Sequence, residues 1–125
     1  MKILIVDDSL LDRKLLINVL KKNNITNDVL QAGDGDEGIR VLSANYKDIG
    51  VILLDWQMPK VDGISFMKAV VKVPEVANIP IIMITASGTE DNKRLAREAN
   101  PNLAGYVVKP YKVEDLVTMI KSHLK

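Results

Sequence analysis

Directly after Met1 comes the stretch Lys2-Ile3-Leu4-Ile5-Val6-Asp7-Asp8, a continuous apolar run that ends abruptly in two carboxylates. Three later stretches have the same form: Val51-Ile52-Leu53-Leu54-Asp55, Ile81-Ile82-Met83-Ile84-Thr85 and Gly105-Tyr106-Val107-Val108-Lys109. Short apolar runs rich in β-branched residues are typical of strands that are buried on both faces of a parallel sheet. The carboxyl ends of such strands lie along one edge, so three carboxylates, a hydroxyl and an ammonium group should share a crevice there.

Segments with a helical spacing of apolar residues separate these runs. The predicted strands are residues 2–6, 28–32, 51–54, 81–84 and 105–108, and the predicted helices are residues 9–22, 36–43, 64–73, 90–99 and 113–124. The inward stripe of the first helix is predicted to be Leu15, Leu16, Val19 and Leu20. Strands that alternate with helices predict an α/β fold, a doubly wound five-stranded parallel sheet with helices on both faces.

Length and composition limit the possible classes of protein. A chain of 125 residues has the usual size of one domain, and we expect residues 1–125 to form a single domain without an output domain. The net charge of +1 gives no indication of direct nucleic-acid binding. The chain has no cysteine and no apolar stretch of the ~20 residues that would cross a bilayer. We therefore expect a cytoplasmic protein without membrane insertion.

The polar ends of the strands predict a metal site. Three carboxylates as close as those of Asp7, Asp8 and Asp55 repel one another, and a cation relieves this repulsion. Oxygen ligands from few protein groups suit Mg2+. Lys109 is expected to pair with Asp55 and to hold a phosphoryl oxygen, and the Thr85 hydroxyl could donate to the same group.

Five segments together resemble the receiver domain of two-component response regulators. They are Val6-Asp7-Asp8-Ser9, Leu54-Asp55-Trp56-Gln57-Met58-Pro59, Asp62-Gly63, Thr85-Ala86-Ser87 and Tyr106-Val107-Val108-Lys109-Pro110. Their order and spacing match the family over nearly the whole chain. The resemblance implies a flavodoxin-like (βα)5 fold with the strand order 2-1-3-4-5.

The resemblance also implies residue roles. Asp55 is the expected phosphoacceptor, with Thr85 and Lys109 holding the phosphoryl group. The expected Mg2+ ligands are Asp7, Asp8, Asp55 and the backbone carbonyl of Gln57. Thr85 and Tyr106 are the expected switch residues, and Gln57 and Ser87 are expected to tune hydrolysis of the acyl phosphate.

The resemblance implies a signalling protein that promotes its own phosphorylation and dephosphorylation, not an enzyme with a separate substrate. The expected partners are a histidine kinase or phosphotransfer protein and a downstream target protein, with a monomer before phosphorylation. We expect a chemotaxis-type regulator, with a phosphorelay intermediate as the alternative. Candidate partner surfaces are the basic side of the fourth helix (Lys93, Arg94, Arg97) and the residues Leu10, Leu11 and Ile17.

Other functions stay open at this point. A Mg2+-dependent phosphatase with an aspartyl nucleophile also combines Asp, Thr and Lys, but its general acid would stand where this chain has Gln57. A flavodoxin-like cofactor site would need hydroxyls and glycine amides around a phosphate, and Asp7 and Asp8 offer the opposite charge. The stretch Gly33-Asp34-Gly35-Asp36-Glu37-Gly38 fits the dinucleotide fingerprint literally, but its acids would repel a pyrophosphate.

Overall fold

A computed structural model describes residues 1–124 of the chain. Its strands are β1 (Lys2–Val6), β2 (Val29–Ala32), β3 (Ile49–Leu54), β4 (Ile81–Thr85) and β5 (Gly105–Val108). Its helices are α1 (Leu10–Lys22), α2 (Gly35–Asn45), α3 (Gly63–Val70), α4 (Glu90–Ala99) and α5 (Val113–His123). All neighbouring strands are parallel, and the sheet has the order β2-β1-β3-β4-β5. The predicted fold class and strand order are confirmed.

Two apolar cores cover the two faces of the sheet. On one face α2, α3 and α4 pack against sheet residues such as Leu4 and Ile52, and α3 contributes Phe66 to this core. On the other face α1 and α5 pack against Ile3 and Val51. The three central strands are almost fully buried, which explains why their sequences are continuously apolar. No helix among residues 1–124 is long and apolar enough to cross a membrane.

Side chains cap the N-termini of four of the five helices, and these N-termini follow the loops that leave the sheet edge with the polar strand ends. The N-cap residues Ser9, Asp34, Asp62 and Thr89 each accept a hydrogen bond from the backbone N–H three residues later. Such caps satisfy helix N–H groups that would otherwise lack a partner. They fix the start of each helix directly after the loop that leaves the sheet.

The largest difference from the predicted boundaries is in α3. The pattern predicted a helix over residues 64–73, whereas α3 ends at Val70 and turns follow it. The segment after Val70 contains Val71 and Val73, whose β-branched side chains have a low helix propensity. Pro74 also disfavours the helical conformation at Val73, the residue before it. The end of the apolar pattern is therefore part of the loop that leads to β4.

The buried stripe of α1 also differs from the prediction. Leu16 and Leu20 are buried as expected, but Leu15 is 53% exposed. Ile17, predicted to lie off the stripe, is half-buried against the α1 and α5 core. At about 100° per residue, Leu15 points well away from the line through Leu16 and Leu20, while Ile17 stays on its flank. Leu15 thus joins Leu10 and Leu11 on the exposed surface.

Gly63 makes a close backbone contact with the loop that follows β3. A Cβ atom there would lie 2.6 Å from the Asp55 carbonyl oxygen and 2.9 Å from Trp56 Cα. A Cβ at Gly33 would meet only the end of the Arg13 side chain, at 3.7 Å. We expect Gly63→Ala to lower the free energy of unfolding by about 1–3 kcal/mol, because backbone has to move. Gly33→Ala, the matched control, should change it by less than about 0.5 kcal/mol.

Urea unfolding of both variants measures the difference. Equal stability of Gly63→Ala and the wild type would contradict the close packing of α3 against the β3 loop.

Candidate functional site

The polar strand ends meet at the carboxyl edge of β1 and β3. Val6 lies opposite Leu54 in the parallel register, so the residues that follow each strand are neighbours. The backbone N–H of Asp55 donates to the Val6 carbonyl at 2.9 Å, which carries the pairing one residue beyond the strand. A cavity of about 190 Å3 opens beside this edge, and its lining includes Asp7, Asp12, Asp55 and Lys109.

Asp7, Asp8 and Asp55 form a carboxylate cluster. One oxygen of each side chain lies within 4.8 Å of the others. Asp7 is buried, Asp55 is half-buried and Asp8 is exposed, so the cluster is open to solvent on one side. The structure therefore brings together the three side chains that the sequence predicted as metal ligands.

Hydrogen bonds orient two of these carboxylates. Asp7 Oδ1 accepts from the backbone N–H of Ser9 at 2.9 Å, and Asp55 Oδ1 accepts from the backbone N–H of Trp56 at 2.8 Å. Within residues 1–124, Asp55 Oδ2 accepts no hydrogen bond. One carboxylate oxygen of Asp55 thus remains available for a ligand or for chemistry.

Burial and mutual repulsion raise the proton affinity of the cluster. Burial is the main cause that raises the pKa of Asp55 to about 6, and the neighbouring Asp7 charge adds to it. Burial likewise raises the pKa of Asp7. An ionised carboxylate is thus disfavoured here, and a nearby cation would make it favourable again.

Lys109 supplies positive charge, but to partners other than the predicted one. Its Nζ lies 3.4 Å from Asp12 Oδ2 and 3.9 Å from Asp7 Oδ2, and these are its ion pairs within 4.0 Å in the described part of the chain. The predicted pairing with Asp55 is wrong for this structure, because Asp12 reaches the ammonium from the first turn of α1. Burial lowers the pKa of Lys109, but the charges of Asp55, Asp7 and Asp12 outweigh it and raise that pKa.

Asp12 and Arg13 are site residues that the sequence reasoning missed. Asp12 lies in the first turn of α1, where the helix dipole alone would explain an acid, but its carboxylate also lines the cavity. Arg13 donates to the backbone carbonyl of Asp7 and, through Nε, to Gln31 Oε1 at 3.1 Å. Their position in the first turn of a helix that starts beside Asp7 and Asp8 was the available signal.

Thr85 and Tyr106 lie on the neighbouring strands β4 and β5, and Ser87 lies between them in the loop that follows β4. Thr85 is 2% exposed at the end of β4, and its Oγ1 accepts from the Ser87 backbone N–H at 3.3 Å. The Tyr106 hydroxyl donates to the Ser87 carbonyl at 2.6 Å, and burial raises the pKa of this tyrosine. Ser87 Oγ accepts a hydrogen bond from Asn92 of α4. Thr85 does not belong to the lining of the cavity beside Asp55.

Gln57 lies in the loop after β3, two residues beyond Asp55, with an exposed side chain. Gln57 is thus close in sequence to Asp55 of the carboxylate cluster.

The two predicted partner surfaces have different character. On α4, Lys93 pairs with Glu90, and Arg94 lies within 4.0 Å of both Asp91 and Glu98. Acids therefore balance much of the predicted basic side. On α1, Leu10, Leu11 and Leu15 are all more than half exposed, and Leu15 also lines the cavity. We call these three residues the leucine patch.

The carboxylate cluster fits a hard divalent cation. Its donor atoms are carboxylate oxygens close enough to share one ion, and its open side leaves room for water and a further ligand. Mg2+ prefers such sites with few protein ligands. The chemistry of the donor set thus agrees with the predicted cofactor.

Comparisons with known proteins agree with this geometry. The sequence profile described as "Response regulator receiver domain" matches residues 3–121. The chemotaxis protein CheY1 of Helicobacter pylori is 39% identical over 111 residues, which are 89% of this chain and 86% of CheY1. The structure of the CheX-CheY-BeF3-Mg+2 complex of Borrelia burgdorferi contains a chain that is 27% identical, with a TM-score of 0.85 and coverage of 98% of this chain and 87% of that one.

Other relatives are much longer than this chain. The sensor histidine kinase CheAY of Helicobacter pylori is 35% identical over 98% of this chain, which spans only 15% of that kinase. The transcriptional regulatory protein ResD of Bacillus subtilis is 39% identical over 99% of this chain, which spans 48% of ResD. These relatives are signalling proteins and give no support to the phosphatase alternative. The chain belongs to the response regulator receiver domain family, and it is a phosphoacceptor domain of two-component signalling.

Proposed function

We propose that Asp55 accepts a phosphoryl group from a phosphohistidine on a histidine kinase or phosphotransfer protein. The convergence of the Asp7, Asp8 and Asp55 carboxylates beside the Lys109 ammonium carries this proposal. Asp55 is the half-buried member of the cluster, it lines the cavity, and it has an oxygen without a hydrogen bond in the described residues.

The proposed reaction transfers one phosphoryl group between two nucleophiles. An Asp55 carboxylate oxygen attacks phosphorus, a P–O bond forms, and the P–N bond to the donor imidazole breaks. The imidazole takes up a proton as it leaves. Water later attacks the acyl phosphate, which releases inorganic phosphate and restores the carboxylate. In this sense the domain promotes its own phosphorylation and dephosphorylation.

Positioning and charge are what phosphoryl transfer demands of a protein. Lys109 would place its ammonium against a phosphoryl oxygen, and Thr85 would donate its hydroxyl to another. Asp7, Asp8, Asp55 and the Gln57 carbonyl would hold Mg2+. When bound, Mg2+ supplies positive charge to the phosphoryl oxygens and relieves the repulsion among the carboxylates. Gln57 and Ser87 would set how easily water reaches the acyl phosphate.

The signal would leave the site through a conformational change at the face formed by α4, β5 and α5. Thr85 would move toward the phosphoryl group, and Tyr106 would change its position as the Ser87 segment moves. Support comes from the hydrogen bonds of Ser87, which connect both residues to one loop. A two-state change of this kind needs only a new charge that favours one arrangement.

We further propose that residues 1–125 form one receiver domain and that this domain lies in the cytoplasm. Of these residues, Lys125 lies outside the part of the chain that the structure describes. The kinase or phosphotransfer donor would dock on the leucine patch, beside the cavity. A downstream target protein would bind the phosphorylated form, and the domain would be a monomer before phosphorylation. Similarity to CheY1 favours a chemotaxis-type role over a phosphorelay.

Incubation with acetyl phosphate and Mg2+ tests the acceptor. We expect intact mass spectrometry to show one added phosphoryl group on the wild type and on Asp36→Asn, a control at an exposed ion pair with Arg40. Asp55→Asn should show none, because an amide cannot form the acyl phosphate. Chelation of Mg2+ should abolish the addition. Equal addition to Asp55→Asn would reject the proposed acceptor.

The raised pKa of Asp55 predicts a stability difference. A carboxyl group whose pKa rises from 3.8 to about 6 on folding destabilises the folded state when it is ionised. Because Asp55 is partly exposed, we discount the full effect to roughly 1 kcal/mol. Asp55→Asn should therefore be more stable than the wild type at neutral pH without Mg2+.

The pH dependence follows from the same shift. The penalty is complete above the folded pKa of about 6 and absent below the unfolded value of 3.8, where both states are protonated. Urea unfolding at several pH values should show the gap between the variants closing as the pH falls. Saturating Mg2+ should also close it at neutral pH. A stability difference between Asp55→Asn and the wild type that changes with neither pH nor Mg2+ would contradict a raised pKa of Asp55 as its cause.

The leucine patch predicts a donor-specific defect. Leu11 is 65% exposed, so Leu11→Asp should fold normally while placing a charge on the docking surface. We expect transfer from a phosphorylated histidine phosphotransfer domain to slow by tenfold or more, on the order of the loss from a buried interface residue. The rate with acetyl phosphate should stay near that of the wild type. Leu95→Asp, at a 44% exposed leucine of α4, is the matched control.

Radiolabel transfer measures the rate with the histidine phosphotransfer domain, and Trp56 fluorescence measures the rate with acetyl phosphate. Equal slowing with both donors would show that Leu11 acts on the site and not on docking.

A further inference from the structure

Asp12 makes a contact in the site that the proposed reaction does not use. Its backbone N–H donates to the N-cap oxygen Ser9 Oγ at 3.1 Å, which fixes it in the first turn of α1. Its carboxylate reaches across the cavity to Lys109, and the 3.4 Å separation is the shorter of the two ion-pair distances of that ammonium. The pair joins residues 97 positions apart in the chain.

We infer that Asp12 is a positioning residue that holds the Lys109 ammonium away from the phosphoacceptor before phosphorylation. The inference rests on the proposed role of Asp55 and deepens it. Lys109 Nζ lies within 4.0 Å of Asp12 and Asp7 but, in the described residues, not of Asp55, so a contact with a phosphoryl oxygen at Asp55 draws the ammonium away from Asp12. The contact with Asp12 therefore competes with the contact that stabilises the phosphorylated state.

The expected size of this competition is modest. The side chains of Lys109 and Asp12 are 30% and 43% exposed, so solvent screens their attraction. Partly exposed pairs of this kind change an equilibrium by roughly two- to fivefold. Asp12 would thus tune the population of the phosphorylated state without determining whether the reaction occurs.

A structural explanation for Asp12 has to be separated from this one. Acids in the first turn of a helix stabilise it through the helix dipole, and α1 has Asp12 there. Glu114 offers a matched control, because it also lies in the first turn of a helix that starts after a polar strand end. Glu114 is exposed and forms no ion pair within 4.0 Å in residues 1–124.

The probe is beryllofluoride with saturating Mg2+, a non-hydrolysable analogue of the phosphoryl group, and Trp56 fluorescence reports its binding. We expect Asp12→Asn to bind it roughly two- to fivefold more tightly than the wild type. Asp12→Glu, which keeps the carboxylate, should return to the wild-type value, and Glu114→Gln should not differ from it. Thermal unfolding confirms that each variant is folded.

Two further measurements separate the direct contact from a general charge effect. Asp12→Asn should have no effect when it is added to Lys109→Gln, because the partner of Asp12 is gone. The side-chain 15N resonance of Lys109 should move in Asp12→Asn and stay in place in Glu114→Gln.

The outcomes that oppose the inference are distinct from failure of the proposed function. A wild type that binds no beryllofluoride with Mg2+ rejects the proposed function, and the inference falls with it. If the wild type binds beryllofluoride and Asp12→Asn binds it with equal or lower affinity, the inference is rejected and the proposed function is not. The inference is also rejected if Glu114→Gln tightens binding equally, if the Lys109 resonance does not move, or if the effect persists without Lys109.

Discussion

The parallel pairing of β1 with β3 forces like charges together, and much of the site depends on this constraint. Val6 and Leu54 are opposite each other and fully buried, so the side chains of Asp7 and Asp55 cannot separate without breaking the central sheet. Their repulsion is local, whereas the burial that opposes it extends over both faces of the sheet. The fold thus holds an unfavourable interaction between carboxylates at one edge of the sheet, and a cation bound there would relieve it.

Sequence was sufficient for the fold and for the carboxylate cluster, for a physical reason. Each central strand is buried on both faces, so its apolar run ends where the chain leaves the sheet, as at Leu54 and Asp55. A polar residue at that point marks the edge of the sheet directly. Parallel strands place all such points on the same edge, and the resemblance supplied the strand order. No knowledge of side-chain conformation was needed.

Features that depend on orientation or distant contacts were out of reach. Helical spacing separates Leu15 from Ile17 only slightly, because they lie about 120° and about 80° from the line through Leu16 and Leu20. Packing against α5 and the sheet then decides that Ile17 is the half-buried residue. The predicted pairing of Lys109 with Asp55 was also wrong. The start of α1 beside Asp7 and Asp8 indicated that Asp12 lies near the site, but the helix dipole already explained an acid there, and the contact with Lys109, 97 residues away, could not be read from the sequence.

Ser87 gives the proposed switch a short physical connection. Its backbone N–H donates to Thr85 Oγ1 and its carbonyl accepts from the Tyr106 hydroxyl, so one peptide segment contacts both switch residues. If Thr85 turns its hydroxyl toward a phosphoryl group, the Ser87 bond to Oγ1 has to adjust. The Tyr106 bond on the other side of Ser87 then changes as well, and so does the link to Asn92 at the start of α4. Coupling through three adjacent hydrogen bonds needs no long pathway, because the sheet edge places acceptor, hydroxyl and aromatic ring on consecutive strands.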